Sequence, residues 1–384
     1  MEGSAGAGPR LRQMTDSTTG HADEPISDRA RDVVTRFQIE GELVALEPLR
    51  RGHIHDTLIS TWRRASGDIR YLHQRINGQV FRDVPGLMHN IETVTEHLRN
   101  KGGGDHGLQT LELVPSRDGA VYLETELGAW RTYHFIEGAS SRDECQGPDQ
   151  AFSVARAFGW FHASLSDLDP RGLRETIPRF FSSSYRLEQL SSAIAADAAG
   201  RASSCGPEIE FAMQRTAMAD VAAERLADRR WPERVVHGDT KLNNILFDVD
   251  SGEPRCIVDL DTCMPGFALY DFGDLVRFTA ATTAEDERDL DKVGMDLELY
   301  RALAAGYVDT ASSFLTEDEL EHMPLSARLV TWTIGVRFLA DHLAGDTYFK
   351  VSREGHNLDR ARVQFKLVES MERQEAAMRS GAAG

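Results

Sequence analysis

Cysteine is scarce in this chain, with four residues among 384 and no CxxC pair. The four are Cys145, Cys205, Cys256 and Cys263. Because their spacing fits neither a disulfide framework nor a zinc site, we expect reduced and mostly packed thiols. The scarcity of cysteine argues against a disulfide-stapled secreted domain and indicates a cytoplasmic protein.

Long apolar runs are also missing. No stretch reaches the roughly 18 apolar residues that a membrane-spanning helix needs. Arg10 and Arg12 lie near the N-terminus, but no apolar run follows them as it would in a signal peptide. The sequence therefore predicts neither a signal peptide nor a membrane partner.

Positive charge is in deficit. The chain has 43 Lys and Arg against 61 Asp and Glu, a formal net charge of −18. Such a balance opposes binding to phosphate backbones and to anionic membrane surfaces. Nucleic acid is therefore not an expected partner, and the composition leaves the oligomeric state open.

The remaining composition is that of a globular enzyme. A chain of 384 residues with 41% hydrophobic content can bury a large core, and its length favours two lobes. Residues 1–26 and 377–384 are predicted to be disordered tails. The pattern between them indicates an α+β protein with an N-lobe at 27–137 that binds nucleotide and a C-lobe at 138–376 that carries catalysis and acceptor binding.

Short strands dominate the N-lobe, and helices dominate the C-lobe. Alternation and helical spacing predict helices at 26–37 and 83–101 and strands at 41–49, 57–62, 69–76, 111–115, 120–125 and 130–136. The last strand ends before Gly138, where we place the hinge between the lobes. Its edge, at His134 and Ile136, could offer backbone groups to a flat heterocycle such as adenine.

One stretch, Val235 to Asp261, carries the chemistry. An apolar segment ends in the triplet HGD at Asp239, and Asn244 follows five residues later. A second apolar segment, predicted to be a strand, ends at Asp259. Taken singly, these residues could be a cap, a turn residue and a strand end. Together, a proton-accepting carboxylate and two oxygen ligands for Mg²⁺ suit phosphoryl transfer from Mg-ATP, which depends on positioning and charge neutralisation.

The pattern HGDxxxxN followed by IVDLD resembles the signature of the aminoglycoside phosphotransferase and choline kinase superfamily. Within that superfamily the chain is similar to the N-acetylhexosamine 1-kinases, which are bacterial sugar kinases. The matching segments are GHIHDT (52–57), NIETVTEHL (90–98), GAWRTYHFIE (128–137), HGDTKLNNILFD (237–248), DLDTCMPG (259–266), LYDFGDLVRF (269–278) and RFLADHLAGDTYF (337–349). The resemblance implies a two-lobed protein-kinase-like fold, with a small antiparallel sheet in the N-lobe and a mostly helical, sugar-binding C-lobe.

The resemblance also implies roles for single residues. It makes Asp239 the catalytic base and makes Asn244 and Asp259 the ligands of Mg²⁺. The residues implied to approach the sugar, besides Asp239, are His53, Thr262, Arg337 and Tyr348. Its implied reaction transfers the γ-phosphate of ATP to the 1-hydroxyl of N-acetylglucosamine or N-acetylgalactosamine.

Two positions need separate interpretation. Asp271, in a literal DFG triplet, opens a predicted helix twelve residues after Asp259, so we expect it to brace the catalytic loop through backbone N–H groups. Gln74 lies near where kinases usually have a phosphate-pairing lysine, and Arg75 beside it faces the opposite side of the strand. We expect Gln74, with Glu92 on the following helix, at the ATP site.

Two other functions stay open. The acceptor could be another hexose, an amino alcohol such as choline, or an aminoglycoside. The absence of a lysine at Gln74 also permits a non-catalytic pseudokinase that only binds ligand. The complete set of Asp239, Asn244 and Asp259 favours an enzyme, because a scaffold has no chemical need for it.

Overall fold

The computed structural model describes residues 26–49, 54–102 and 107–381. Nearly all of the predicted N-terminal tail, 1–26, lies outside these ranges, and so does His53. Among the described residues, no helix is both long enough and apolar enough to cross a membrane. All four cysteines are free thiols, and three of them are buried, as the sequence predicted.

The N-lobe is an antiparallel sheet with one helix on each side. Its elements are α1 (Ile26–Val34), β1 (Glu42–Pro48), β2 (Asp56–Arg64), β3 (Gly67–Arg75), α2 (Val84–Lys101), β4 (Leu123–Thr125) and β5 (Gly128–His134). The strand order is β1-β2-β3-β5-β4. Alternation of side chains sends Trp62, Tyr71 and Trp130 to one face, where they form a core with α1.

One predicted strand, 111–115, is wrong as an extended strand. In this segment Leu113 makes only an isolated bridge to Tyr133. Just before it, Gln109 bridges to Cys256 in the C-lobe. Because the segment has to pass from one lobe to the other, it cannot pair continuously with β5.

The C-lobe is mostly helical. Its helices are α3 (Pro148–Leu165), α4 (Ser183–Ala196), α5 (Gly206–Met213), α6 (Ala217–Ala227), α7 (Ala268–Thr279), α8 (Leu297–Ala311), α9 (Glu317–Leu343), α10 (His356–Arg373) and α11 (Glu375–Gly381). Its short strands are β6 (Ala139–Ser141), β7 (Arg234–Val236), β8 (Ile245–Asp248), β9 (Pro254–Ile257) and β10 (Met264–Gly266). They form a sheet of order β6-β8-β9 and a pair, β10-β7. The two-lobed α+β architecture predicted from the sequence is confirmed.

The central helix of the C-lobe is α9. It begins with a capping box, in which Thr316 and Glu319 satisfy each other's backbone N–H groups. Trp332, Val336 and Leu339 are among its buried residues. With α9 at the centre, α7, α4 and α10 pack around it, and this arrangement fixes the helices that flank the catalytic loop.

The lobes share one continuous core. Leu87, Ile91 and Val94 of α2 belong to the same buried cluster as Phe158 of α3. The chain passes between the lobes after β5, and β6 already pairs with β8 of the C-lobe. Gly138, the predicted hinge, lies between these two strands.

The C-terminal end differs from the prediction. Residues 377–384 were expected to be disordered, but the structure places Glu375–Gly381 in α11. Met378 is fully buried there and belongs to the main core. The prediction missed it because a single apolar residue among Ala, Arg and Ser gives no periodic signal.

Candidate active site

The HGD turn is shaped by its glycine. Buried strand β7 leads into His237, and Gly238 takes a φ of +81°. A Cβ at Gly238 would lie 2.8 Å from the carbonyl oxygen of Thr262, closer than real contacts allow. Only glycine therefore lets the loop turn here and present Asp239.

Asp271 fixes the backbone of this loop through hydrogen bonds. Its carboxylate accepts the backbone N–H of His237 at 2.6 Å and that of Gly238 at 2.9 Å. His162 donates to the same carboxylate at 2.8 Å and is itself bonded to Tyr307. The predicted bracing role of Asp271 is confirmed, and His162 is a packing histidine with both ring nitrogens satisfied.

Asp239 is partly buried and carries two close donors. Lys241 Nζ lies 2.7 Å from its carboxylate, and the amide nitrogen of Asn244 donates at 2.9 Å. Burial opposes ionisation of Asp239, but the charges of Lys241 and His237 and the bond from Asn244 outweigh it, so the pKa is lowered. Asp239 is therefore an ionised hydrogen-bond acceptor at neutral pH.

Asn244 and Asp259 both lie near this carboxylate and offer oxygen atoms that suit Mg²⁺. The amide nitrogen of Asn244 faces Asp239, which leaves its amide oxygen as the atom that can face a metal. Asp259 has a left-handed backbone, φ +64°. Burial and the nearby charges of Asp261 and Asp239 raise its pKa to about 7. A divalent cation would relieve this crowding of negative charge.

These residues alone do not form a closed metal cage. Within the described ranges, no group of three or more His, Cys, Asp or Glu side chains could hold an ion. Mg²⁺ usually takes one or two protein carboxylates and completes its octahedron with phosphate oxygens and water. The open pair of Asn244 and Asp259 fits that mode of binding.

Across the cleft lies a cluster of buried polar residues that sequence reasoning missed. Both terminal nitrogens of Arg131 on β5 bind the two carboxylate oxygens of Asp261, one of them at 2.8 Å. His55 accepts the backbone N–H of Asn77 through Nδ1, so its Nε2 carries the proton and donates to Asp261 at 2.7 Å. The Arg131, His55 and Asp261 side chains are only 2, 5 and 4% exposed.

Gln74 is bound to this cluster through Arg131. Its amide oxygen accepts a hydrogen bond from Nε of Arg131 at 2.9 Å, since the two residues are paired across β3 and β5. No hydrogen bond among the described residues joins Gln74 to Glu92, and the placement of both residues at the ATP site stays a prediction. Arg75 faces the other way and binds Asp56.

The predicted adenine contacts at the strand edge are only partly available. The backbone N–H of His134 already donates to the carbonyl of Glu112 at 3.0 Å. His134 and Ile136 line a surface hollow together with Arg99 and Glu112. Asp239, Asn244 and Asp259 do not line this hollow. The N–H of His134 is thus unsuited to adenine, and a contact to Ile136 stays a prediction.

On the other side of the catalytic loop lie the residues expected near the acceptor. Thr262 Oγ1 donates to the carbonyl of His237 at 2.7 Å, so its side chain sits against the loop. The guanidinium of Arg337 lies 5.7 Å from the ring centre of Tyr348 and 5.4 Å from that of Phe180. The structure therefore brings Arg337 and Tyr348 together.

A buried carboxylate fixes the loop that carries Tyr348. Asp341 accepts the backbone N–H groups of Thr347, Tyr348 and Phe349 at 2.8 to 2.9 Å. Tyr348 itself is 63% exposed. Its backbone is thus held while its ring remains open to a ligand.

A family model, APH, the phosphotransferase enzyme family, matches residues 46–309. The chain belongs to the phosphotransferase enzyme family. Residue 309 lies in α8, so the match spans the catalytic loop, Asp259 and Asp271. As a member of this family, the chain is a small-molecule phosphotransferase.

Solved structures resemble this phosphotransferase over nearly its whole length. A microcompartment-associated aminopropanol kinase has a TM-score of 0.55 at 15% identity, over 92% of this chain and 98% of the other. An aminoglycoside phosphotransferase from Alicyclobacillus acidocaldarius has a TM-score of 0.57 at 13% identity, over 91% and 95%. Choline kinase from Cryptosporidium parvum has a TM-score of 0.54 at 12% identity, over 93% and 97%. At these identities the likeness confirms the kinase-like fold and nothing finer.

Four residues of this phosphotransferase were missed at the candidate site. They are Lys241, Arg131, His55 and Asp261. All four lie inside segments that carry the family resemblance, and Lys241 and Asp261 also follow Asp239 and Asp259 by two residues, so sequence proximity could have pointed to these two. Arg131 and His55 reach the site only through tertiary contacts.

Proposed function

We propose that this phosphotransferase transfers the γ-phosphate of ATP to the 1-hydroxyl of an N-acetylhexosamine. The observation that carries the proposal is the position of Asp239, an ionised and partly exposed carboxylate held by Lys241 and Asn244. The segments that resemble N-acetylhexosamine 1-kinases supply the acceptor.

Asp239 would act on the acceptor. Its carboxylate orients the sugar hydroxyl and accepts its proton as the oxygen–phosphorus bond forms. Lys241 Nζ lies 2.7 Å from the carboxylate of Asp239. Its positive charge would offset the negative charge of that carboxylate and of the nearby phosphate during transfer. Asn244 and Asp259 would hold Mg²⁺, which when bound neutralises phosphate charge.

Charge on the acceptor side supports a sugar over an amine. The similar structures are described as kinases of aminopropanol and choline and as an aminoglycoside phosphotransferase, and these acceptors carry positive charge. In this chain the cation of Arg337 lies among Phe180, Tyr348 and Phe349. A second cation would be repelled there, whereas sugar hydroxyls accept hydrogen bonds from a guanidinium and pack on aromatic rings.

An acceptor panel tests the proposal. The enzyme with Mg-ATP is offered N-acetylglucosamine, N-acetylgalactosamine, glucose, choline, aminopropanol and an aminoglycoside, and ADP release is measured. We expect turnover with the N-acetylhexosamines and little with the amines. Faster turnover with any amine would overturn the assigned acceptor and leave the family assignment intact.

A further inference from the structure

Two arginines near the catalytic loop lie together without an acidic partner. Arg186 of α4 binds only neutral oxygens, the side chain of Gln189 at 2.9 Å and the carbonyl of Phe180 at 3.3 Å. Arg337 of α9 touches the rings of Phe180, Tyr348 and Phe349. Within residues 26–49, 54–102 and 107–381, no carboxylate forms an ion pair with either arginine.

Arg186 is deeply buried and incompletely satisfied. The residue is 8% exposed, and its Nε is buried without a hydrogen-bond partner. Burial and the neighbouring charge of Arg337 lower the pKa of Arg186 to about 10. A buried cation beside a second cation is costly unless an anion compensates it.

Other buried arginines in the described chain are compensated. Arg131 binds Asp261 and Arg277 binds Asp274, and the partly buried Arg234 binds Glu319. The pair of Arg186 and Arg337 departs from this pattern. Its missing partner is therefore expected to come from outside the polypeptide.

The arginine pair is close to the catalytic turn. Phe180 touches both arginines, and the next residue, Phe181, has its ring 3.2 Å from where a Cβ of Gly238 would be. Tyr270 packs on Phe181 with ring centres 4.6 Å apart. Two aromatic residues thus separate the arginine pair from the loop that presents Asp239.

We propose that Arg186 and Arg337 form a subsite for an anionic oxygen group, a carboxylate or a phosphate, carried by the acceptor. This inference rests on the proposed function, because it assumes that the acceptor lies beside Asp239. Guanidinium groups bind such anions through charge-assisted and often bidentate hydrogen bonds. The anion would compensate the two cations and remove the repulsion between them.

Matched pairs of acceptors test the subsite. Each pair is a neutral sugar and the same sugar with an acidic group: glucose with glucuronic acid, and N-acetylglucosamine with its 6-phosphate and with its 3-O-lactyl ether. We expect one acidic sugar to exceed its neutral parent in kcat/KM by about tenfold or more, as a charged hydrogen bond allows. The preferred sugar tells carboxylate from phosphate.

Variants show whether the arginines cause the preference. Arg186→Gln should abolish the advantage of the acidic sugar and leave the neutral sugar nearly unchanged. The matched control is Arg179→Gln, because Arg179 also contacts Tyr185 but pairs with Glu188. It should leave the preference as it is. No preference in the wild type, or a preference that survives Arg186→Gln, would overturn the subsite.

Binding without ATP separates this inference from the proposed function. Calorimetry of the acidic sugar preferred by turnover, or of all three if none turns over, should show binding that Arg186→Gln weakens by about tenfold. If neutral sugars are phosphorylated and acidic sugars neither bind nor react, the subsite fails while the proposed function stands. If acidic sugars bind through Arg186 and no sugar is phosphorylated, the function fails and the anion subsite stands.

Discussion

Arg131 and Arg186 are both buried bases near the candidate site, but they are neutralised in opposite ways. Arg131 lies in the N-lobe sheet and binds both oxygens of Asp261, a C-lobe residue two positions after Asp259. Arg186 lies in the C-lobe beside Arg337 and has only neutral partners. One charge is compensated within the chain, and the other is not.

The difference separates structure from recognition. A buried arginine with its own carboxylate and a histidine donor is complete, so the Arg131 cluster ties the lobes together and fixes the segment that carries Asp259. A buried arginine without a carboxylate is incomplete and gains most from a ligand. Four variants test this contrast, from the largest expected effect to the smallest.

The first variant is at Asp239, the candidate base. Asp239→Asn keeps its shape but cannot accept a proton, so we expect kcat to fall by about a hundredfold to ten-thousandfold. ATP binding, measured by calorimetry, should change little. Asp250→Asn, in the exposed hairpin after β8, is the control. Retained turnover in Asp239→Asn would show that another residue accepts the proton.

The second variant breaks the compensated site. Arg131→Gln leaves the carboxylate of Asp261 buried without its cation, so we expect the free energy of unfolding to drop by about 3 to 5 kcal/mol. Urea denaturation measures it. The control is Arg75→Gln on the neighbouring strand, where an exposed pair with Asp56 should be worth at most about 1 kcal/mol. Equal losses in the two variants would contradict the contrast.

The third test concerns His73, a buried base that is neutral in the folded protein. His73 is fully buried between Ser60 and Thr132, and burial lowers its pKa to about 3. In the unfolded chain His73 binds a proton near pH 6.5, whereas in the folded protein it stays neutral down to about pH 3. The free energy of unfolding should therefore be unaffected by His73 above pH 6.5. Below that value it should fall by about 1.4 kcal/mol per pH unit as pH decreases toward 3, a few kcal/mol in total.

The measurement is the free energy of unfolding against pH for the wild type and for His73→Gln. The variant cannot gain a proton, so its stability should fall less steeply between pH 6.5 and pH 4, even if it starts lower. Parallel curves would mean that His73 titrates normally in the folded protein.

The fourth variant tests the uncompensated site for stability alone. Arg186→Gln removes a buried cation from beside Arg337, so the free energy of unfolding should stay the same or rise by up to about 1 kcal/mol. The sign is the opposite of that for Arg131→Gln. A loss of several kcal/mol under urea would reveal a compensating partner for Arg186 within the chain.

The sequence predicts well those features that local spacing determines. The two lobes, most strands and the bracing role of Asp271 follow from periodicity and from one contiguous motif. Asn244 lies five residues after Asp239, and a short turn brings them into contact.

Contacts between distant residues could not be predicted in this way. Arg131 and Asp261 are 130 positions apart, and Arg186 and Arg337 lie on two helices whose packing depends on the whole C-lobe. The hydrogen bond between Gln74 and Arg131 has the same origin, because it depends on which residues lie opposite each other on β3 and β5. Side-chain pairing across a sheet is decided by register, and the sequence alone did not fix that register.

The most direct test of the central claim is the structure of the product. The enzyme is incubated with Mg-ATP and N-acetylglucosamine, and the sugar phosphate is examined by proton and phosphorus NMR. The account predicts that the anomeric proton is coupled to phosphorus, which places the phosphate on the 1-hydroxyl. Coupling to the protons at carbon 6, or no sugar phosphate at all, would contradict it.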